Sequence, residues 1–435
     1  MYFINAPGNR IPPLSIKMPY FKKFLIFFFY LIIIAYSLEL LTTLTLKKQF
    51  NLIDKSMNEL REEKIKKITN FDRRDNYAAF LEEKKKNNLY PSFRLAEWNI
   101  AREDYNNVIK NFIKNKLRNN EIIPFRGPIN KKTLGSSEAG VREIIINDKF
   151  GYKNPNEVYE KKIDIMILGD SFAEGVPFDN ENDITGILRK SANYNSINYG
   201  INGTGPLMSL AIIKEYGKKF VPKNVFYLFY EGNDLKDMMH EKDTFLINYL
   251  DKNFTQNLIN SQKDVENFLN EYEKVFNSIL PNKIKEEKLL KNNVQLNQNN
   301  TFKEKIKDFL ELKSVKDIIF ISSTFDTPKK VNYNLFEKIL KTMNLEINEW
   351  GGNFYFVYLP AWTRYNNQYS LANITLKNKI KKIVVKNNIQ FIDIDSVFKD
   401  FKVNNVDIYN LSIYGHYTKY GYNLIADKLI KTLSN

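Results

Sequence analysis

The chain has no cysteine. That removes disulfides, thiolate nucleophiles, cysteine-ligated zinc and iron–sulfur clusters together. A protein without thiols is at home in either redox compartment, so location is left open. Histidine is almost as scarce. Only His240 and His416 occur, which excludes any site built on three histidine ligands and lets each histidine be weighed individually. No metal or other cofactor is expected, and no internal repeat is found.

What is present favours a folded protein. Of 435 residues, 43% are apolar and 14% aromatic, which excludes end-to-end disorder and collagen. At about 150 residues per domain, the length allows two or three structural units. Lys and Arg number 65 against 50 Asp and Glu, leaving a net charge of +15. Such an excess can attract nucleic acid, anionic lipid or acidic glycan. Here the whole chain is rich in Lys, Asn, Ile, Tyr and Phe, a mixture that biased codon usage also produces, and nucleic acid is not expected as a partner.

Residues 24–44 form the one long apolar run, in which Glu39 is the only charge. Its length is close to the roughly 20 residues that span a bilayer core. Arg10, Lys17, Lys22 and Lys23 precede it, and Lys47 and Lys48 follow. That balance favours a cytoplasmic N-terminus. The Leu-Leu-Thr-Thr-Leu stretch from Leu40 lacks a small-x-small cleavage signal, so an uncleaved anchor in membrane lipid is expected. Everything beyond residue 48 would then lie outside the cytoplasm.

Three regions follow from this pattern: a cytoplasmic end and anchor (1–48), a charged stalk or lead-in (49–144), and a larger domain (145–435). Within the last, Ile163–Leu168, Val225–Tyr230, Phe354–Leu359 and Ile389–Ile394 are short apolar runs that read as strands. Helical patterns lie between them. Strands apolar on both faces, alternating with helices, predict an α/β fold with a parallel sheet covered on both sides. An Asn- and Lys-rich stretch at about 241–330 breaks the rhythm and reads as an insertion.

Four blocks carry residues capable of chemistry. Gly169-Asp170-Ser171 follows the first strand, which places a serine at the carboxyl edge of the sheet, where open α/β sheets bind ligands. Asp and Ser also serve as helix caps, so this block has a purely structural reading too. Asn198 to Pro206 holds three close glycines that expose backbone N–H groups, but neither the Walker lysine nor the Rossmann spacing. Asn233 ends the strand Val225–Tyr230, where its amide could donate to an oxyanion or simply make a turn. His416 precedes an apparent helix at Gly421–Leu433, and histidine is the usual general base for a serine. His240, between Met239 and Glu241, reads as structural.

Together these blocks resemble the SGNH hydrolase family, also called GDSL-type esterases, over about residues 145–433. The resemblance implies a flavodoxin-like three-layer α/β/α sandwich. It also implies Ser171 as nucleophile, Gly203 and Asn233 as oxyanion donors, and His416 as base. Two departures stand out. The family's aspartate three residues before the histidine is Ile413 here, and a glycine two before the asparagine is Glu231. The first leaves Asp407, a backbone carbonyl or nothing to orient His416, with Asp393 and Asp395 as outside candidates. The expected activity is ester hydrolysis through an acyl-enzyme, with an O-acylated envelope glycan as substrate. An acyltransferase using the same serine and a catalytically silent glycan-binding module are the alternatives.

Overall fold

The computed structural model describes residues 18–49, 57–95, 107–296, 306–307, 309–312, 331–365, 371–400, 408–410 and 415–434. Its centre is a five-stranded sheet: β1 (Ile165–Gly169), β2 (Ser196–Asn198), β3 (Asn224–Tyr230), β4 (Asn353–Leu359) and β5 (Gln390–Asp393). Every ladder is parallel and the order is 2-1-3-4-5. That is the flavodoxin-like order. Four strands lie within two residues of the bounds the apolar runs predict. The edge strand β2 is not among the predicted runs, because Ser-Ile-Asn is too short and polar to leave a periodic signal.

The strand period of two divides the core into layers. Met166 and Leu168 of β1, with Val225, Tyr227 and Phe229 of β3, face one cluster, closed by helices Pro206–Ile212 and Tyr333–Glu349. Ile165, Ile167, Phe226 and Leu228 face the other, closed by helices Ile184–Ala192 and Lys419–Ser434. This is the three-layer α/β/α sandwich. The chain leaves β1 toward β2 on one side and returns to β3 on the other. The carboxyl ends of β1 and β3 therefore meet at the topological switch point, where open α/β sheets bind ligands.

Lys55–Asn297 and Ser323–Asn435 form one compact unit, and Met1–Asp54 with Gln298–Ser322 forms a second. From Lys55 onward the stretch 49–144, expected as a charged stalk or lead-in, lies in the unit of the sheet. Its charges cover an apolar face: Phe80, Phe93, Ile109 and Ile113 are buried. Helix Gln262–Leu296 of the insertion packs onto that face, with Phe93 edge-on to Tyr272 at 4.9 Å and Phe80 to Phe276 at 5.5 Å. In the second unit, helix Met18–Gln49 contains Lys22–Leu41, a 20-residue segment of mean hydropathy 2.4 with 6% of it buried. By length and composition it is a candidate membrane span.

Candidate active site

β1 ends on Gly169, whose φ of +138° turns the chain sharply. A Cβ there would run into the Leu228 carbonyl of β3, so glycine is required by space as well as by backbone. Asp170 then caps a single helical turn, Ser171–Glu174, by accepting the Phe172 N–H at 2.9 Å. The capping and nucleophile readings of this block are therefore compatible. Ser171 is the first residue of the turn, 5% exposed, with its Oγ 3.5 Å from Asp170 Oδ2.

His416 reaches this turn from the far end of the chain. Its imidazole packs 4.8 Å, centroid to centroid, from the ring of Phe172, the residue after Ser171. Phe172 in turn stacks on Tyr230 at the end of β3, at 3.8 Å. Burial pushes Asp170 up to about 6, while the Phe172 N–H, the nearby His416 and the Asn233 and Ser171 side chains pull the other way. One carboxyl group thus has the serine, the histidine and the asparagine around it. These three come from widely separated parts of the sequence.

The group that holds His416 is Glu138. Its Oε2 lies 2.6 Å from Nδ1 of His416, and its Oε1 accepts the His416 backbone N–H at 2.5 Å. The partners are 278 residues apart in sequence. Glu138 sits in the turn of a hairpin whose strands, Lys132–Leu134 and Ile144–Ile146, pair antiparallel. Gly415 makes room, since a Cβ at that position would collide with Glu138 Oε1. Burial works against charge on both partners. Even so, the carboxylate raises the imidazole above its ordinary value, and the imidazole holds the carboxyl below the usual range. The two shifts agree in direction and describe an ion pair.

The loop is itself fixed. Asn410 donates its N–H to the His416 carbonyl at 2.9 Å, and the Tyr417 hydroxyl donates to the Pro360 carbonyl at 2.6 Å. Asp407 and Ile413 lie outside the described residues, and Glu138 occupies the position that Asp407 was expected to fill. Asp393 and Asp395 are engaged elsewhere: both pair with Lys377, at 2.6 and 2.7 Å. His240 lies in the last turn of helix Asp234–Glu241.

Gly203 and Asn233 follow β2 and β3 at the same carboxyl edge of the sheet. Gly203 follows β2 with a φ of +77°. Asn233 precedes helix Asp234–Glu241, and its Nδ2 donates one hydrogen to Asp237 Oδ2 at 2.8 Å, which orients the amide. Glu231, the second departure from the family pattern, turns away from the site. Its carboxylate accepts the Ala361 N–H at 2.8 Å and pairs with buried Arg364, tying the end of β3 to the end of β4. Among the described residues no group of three or more His, Asp and Glu is arranged to hold a metal ion.

Glu138 is the residue that sequence reasoning misses. The nearby signals are Gly415 beside His416 and the glycines at 135 and 140 that make the hairpin turn, and neither names a partner.

No protein-family model matches the chain, and no curated protein matches it. Among solved structures, the chain is similar to a lipolytic protein of the G-D-S-L family from Desulfitobacterium hafniense, at 13% identity and a TM-score of 0.33 over 62% of this chain and 98% of that one. A G-D-S-L lipolytic protein from Veillonella parvula gives 12% identity and a TM-score of 0.33, over 63% and 99%. A catalytic mutant of an acetylxylan esterase from Geobacillus stearothermophilus gives 13% and 0.34, over 63% and 97%.

Proposed function

We propose that this protein is a serine esterase of the SGNH type, anchored in a membrane and acting outside the cytoplasm on O-acyl groups of an envelope glycan. The observation that carries the reading is the two-point grip of Glu138 on His416, beside the Ser171 turn. With Nδ1 claimed by a carboxylate, Nε2 is the ring nitrogen left for proton transfer. A binding module without catalysis has no use for such an arrangement.

In the proposed reaction Nε2 of His416 takes the Ser171 hydroxyl proton as Oγ bonds to the ester carbonyl carbon. The carbonyl π pair moves onto oxygen, where the N–H groups of Ser171 and Gly203 and the Asn233 amide stabilise it. Collapse expels the alcohol, which takes its proton from the imidazolium, and water repeats the sequence on the acyl-enzyme. Glu138 stabilises the imidazolium between the two proton transfers. The glycan substrate follows from location: an enzyme tethered by residues 24–44 meets the acylated polymers around it.

A fluorophosphonate probe tests the reading directly. Wild-type protein in detergent should form an adduct on Ser171, found by peptide mass analysis. Folded protein that forms none would leave the silent glycan-binding module. Adding a sugar alcohol to the ester assay measures how the acyl group divides between water and hydroxyl; transfer outcompeting hydrolysis would make the enzyme an acyltransferase. Asn233→Ala should lower kcat by about 10²–10³ with KM little changed, as for the loss of one oxyanion donor.

A further inference from the structure

Two buried acidic side chains outside the Ser171–His416–Glu138 set bracket the Gly203 loop: Glu174, and Glu241, whose carboxyl burial raises to about 8. Glu174, at the end of the nucleophile turn, is 3% exposed, and its Oε2 accepts the Asn202 N–H at 2.8 Å. Its Oε1 takes two guanidinium groups, Arg126 at 2.8 Å and Arg94 at 3.0 Å. Both come from the short paired strands Phe93–Arg94 and Arg126–Gly127 of the lead-in. Arg126 also donates to the Gly200 carbonyl at 3.0 Å. Gly200 itself has no room for a side chain, because a Cβ would meet the backbone of Ala173 and Glu174. Burial opposes ionisation of Glu174, but Arg126, Arg94 and Lys153 outweigh it and hold the carboxyl well below its usual range.

On the other flank, Glu241 is 4% exposed and accepts the N–H groups of Gly205 at 2.7 Å, Leu207 at 2.9 Å and Met208 at 3.3 Å. The loop from 202 to 208 therefore has its peptide planes set from both ends. Between the two grips, and among the described residues, the N–H groups of Gly203 and Thr204 have no protein acceptor.

We propose that Glu174 and Glu241 are positioning residues that aim the unclaimed N–H groups at 203–204 toward the ester carbonyl, with Arg94 and Arg126 holding Glu174 in place. This rests on the esterase reading. A backbone donor cannot rotate on its own, so its direction is set by the peptide planes around it. Planes fixed before the substrate arrives need no reorganisation when charge develops on oxygen, which is the source of oxyanion-hole efficiency. The lead-in then serves both sides of the site: Glu138 for the base, and two arginines for the oxyanion loop.

The test is steady-state kinetics on a short aryl ester with full-length Glu174→Gln and Glu241→Gln, well below the melting temperature of each. An interaction felt only in the transition state lowers kcat and leaves KM alone. Each variant should lose about tenfold or more in kcat, short of the roughly 10²–10³ for deleting a donor outright, with KM within about twofold. Fluorophosphonate labelling should slow by a similar factor. The acid limb of the pH profile should stay in place for Glu241→Gln, and should move slightly to lower pH for Glu174→Gln, because the Glu174 charge helps to raise His416. Unchanged kcat in folded variants, or a loss carried by KM, overturns the proposal. If Glu174→Gln fails to fold, Arg94→Gln carries the same test, because it removes one partner of Glu174 and leaves Arg126 paired, and if Glu241→Gln fails, Glu241→Asp does, because it draws the carboxyl back from the Gly205 and Leu207 N–H groups. Wild-type protein that neither turns over nor labels would instead remove the esterase reading itself.

Discussion

Ser171→Ala should abolish ester hydrolysis, with kcat on a short aryl ester falling by up to about 10⁶, the scale found when a serine-triad nucleophile is deleted. The size follows from chemistry. Without Oγ there is no acyl-enzyme, and water must attack directly with help only from the oxyanion donors, which on their own leave about 10³–10⁴ over solution. KM should change little, since the methyl group of alanine fits where the hydroxymethyl stood. The melting temperature should move little as well, because the Oγ contact to Asp170 is long, at 3.5 Å. His416→Ala should cost a comparable amount. Equal rates for wild type and both variants would remove the hydrolase assignment.

Glu138→Gln should lower kcat by about 10⁴, the cost of disabling the acid member of a serine-protease triad. Glutamine is the informative substitution because it keeps the shape and can still accept the His416 backbone N–H. It removes the charge that stabilises the imidazolium, and an amide nitrogen facing Nδ1 selects the wrong tautomer. The pH profile supplies a signed test. The base works as neutral imidazole, so kcat/KM rises with pH through the His416 titration. Glu138 raises that titration. Losing its charge should therefore shift the acid limb to lower pH while the plateau falls. An unmoved limb with an unchanged plateau would show that the carboxylate does not act on His416. Glu138→Ala should also lower the melting temperature, because it leaves the half-buried His416 N–H without its acceptor, at a cost of about 1 kcal/mol.

Much of the fold was legible because the forces that define it act locally. β1 and β3 are buried on both faces, so Ile165–Gly169 and the stretch Val225–Tyr230 show up as unbroken apolar runs. β2 was not legible. Its three residues owe their strand conformation to the neighbouring β1, and no pattern of their own records that. The buried side of the lead-in was not legible for a related reason: its apolar residues are scattered between charges, and the surface they cover is supplied by the distant helix Gln262–Leu296.

The site divides along the same line. The order Ser171, Gly203, Asn233, His416, each beside the end of a strand or the start of a helix, was fixed by the primary structure, because glycines, caps and strand ends leave marks within a few residues. So was the apolar helix near the N-terminus, whose character is a sum over its own side chains. The choice of Glu138 as partner for His416, and of Glu174 and Glu241 as clamps on the loop between 202 and 208, was made only in three dimensions. A carboxylate that meets its imidazole across 278 residues leaves no periodicity, spacing or composition for a linear reading to find. It becomes a partner only when the folded chain brings the hairpin turn and the loop after β5 within hydrogen-bonding distance.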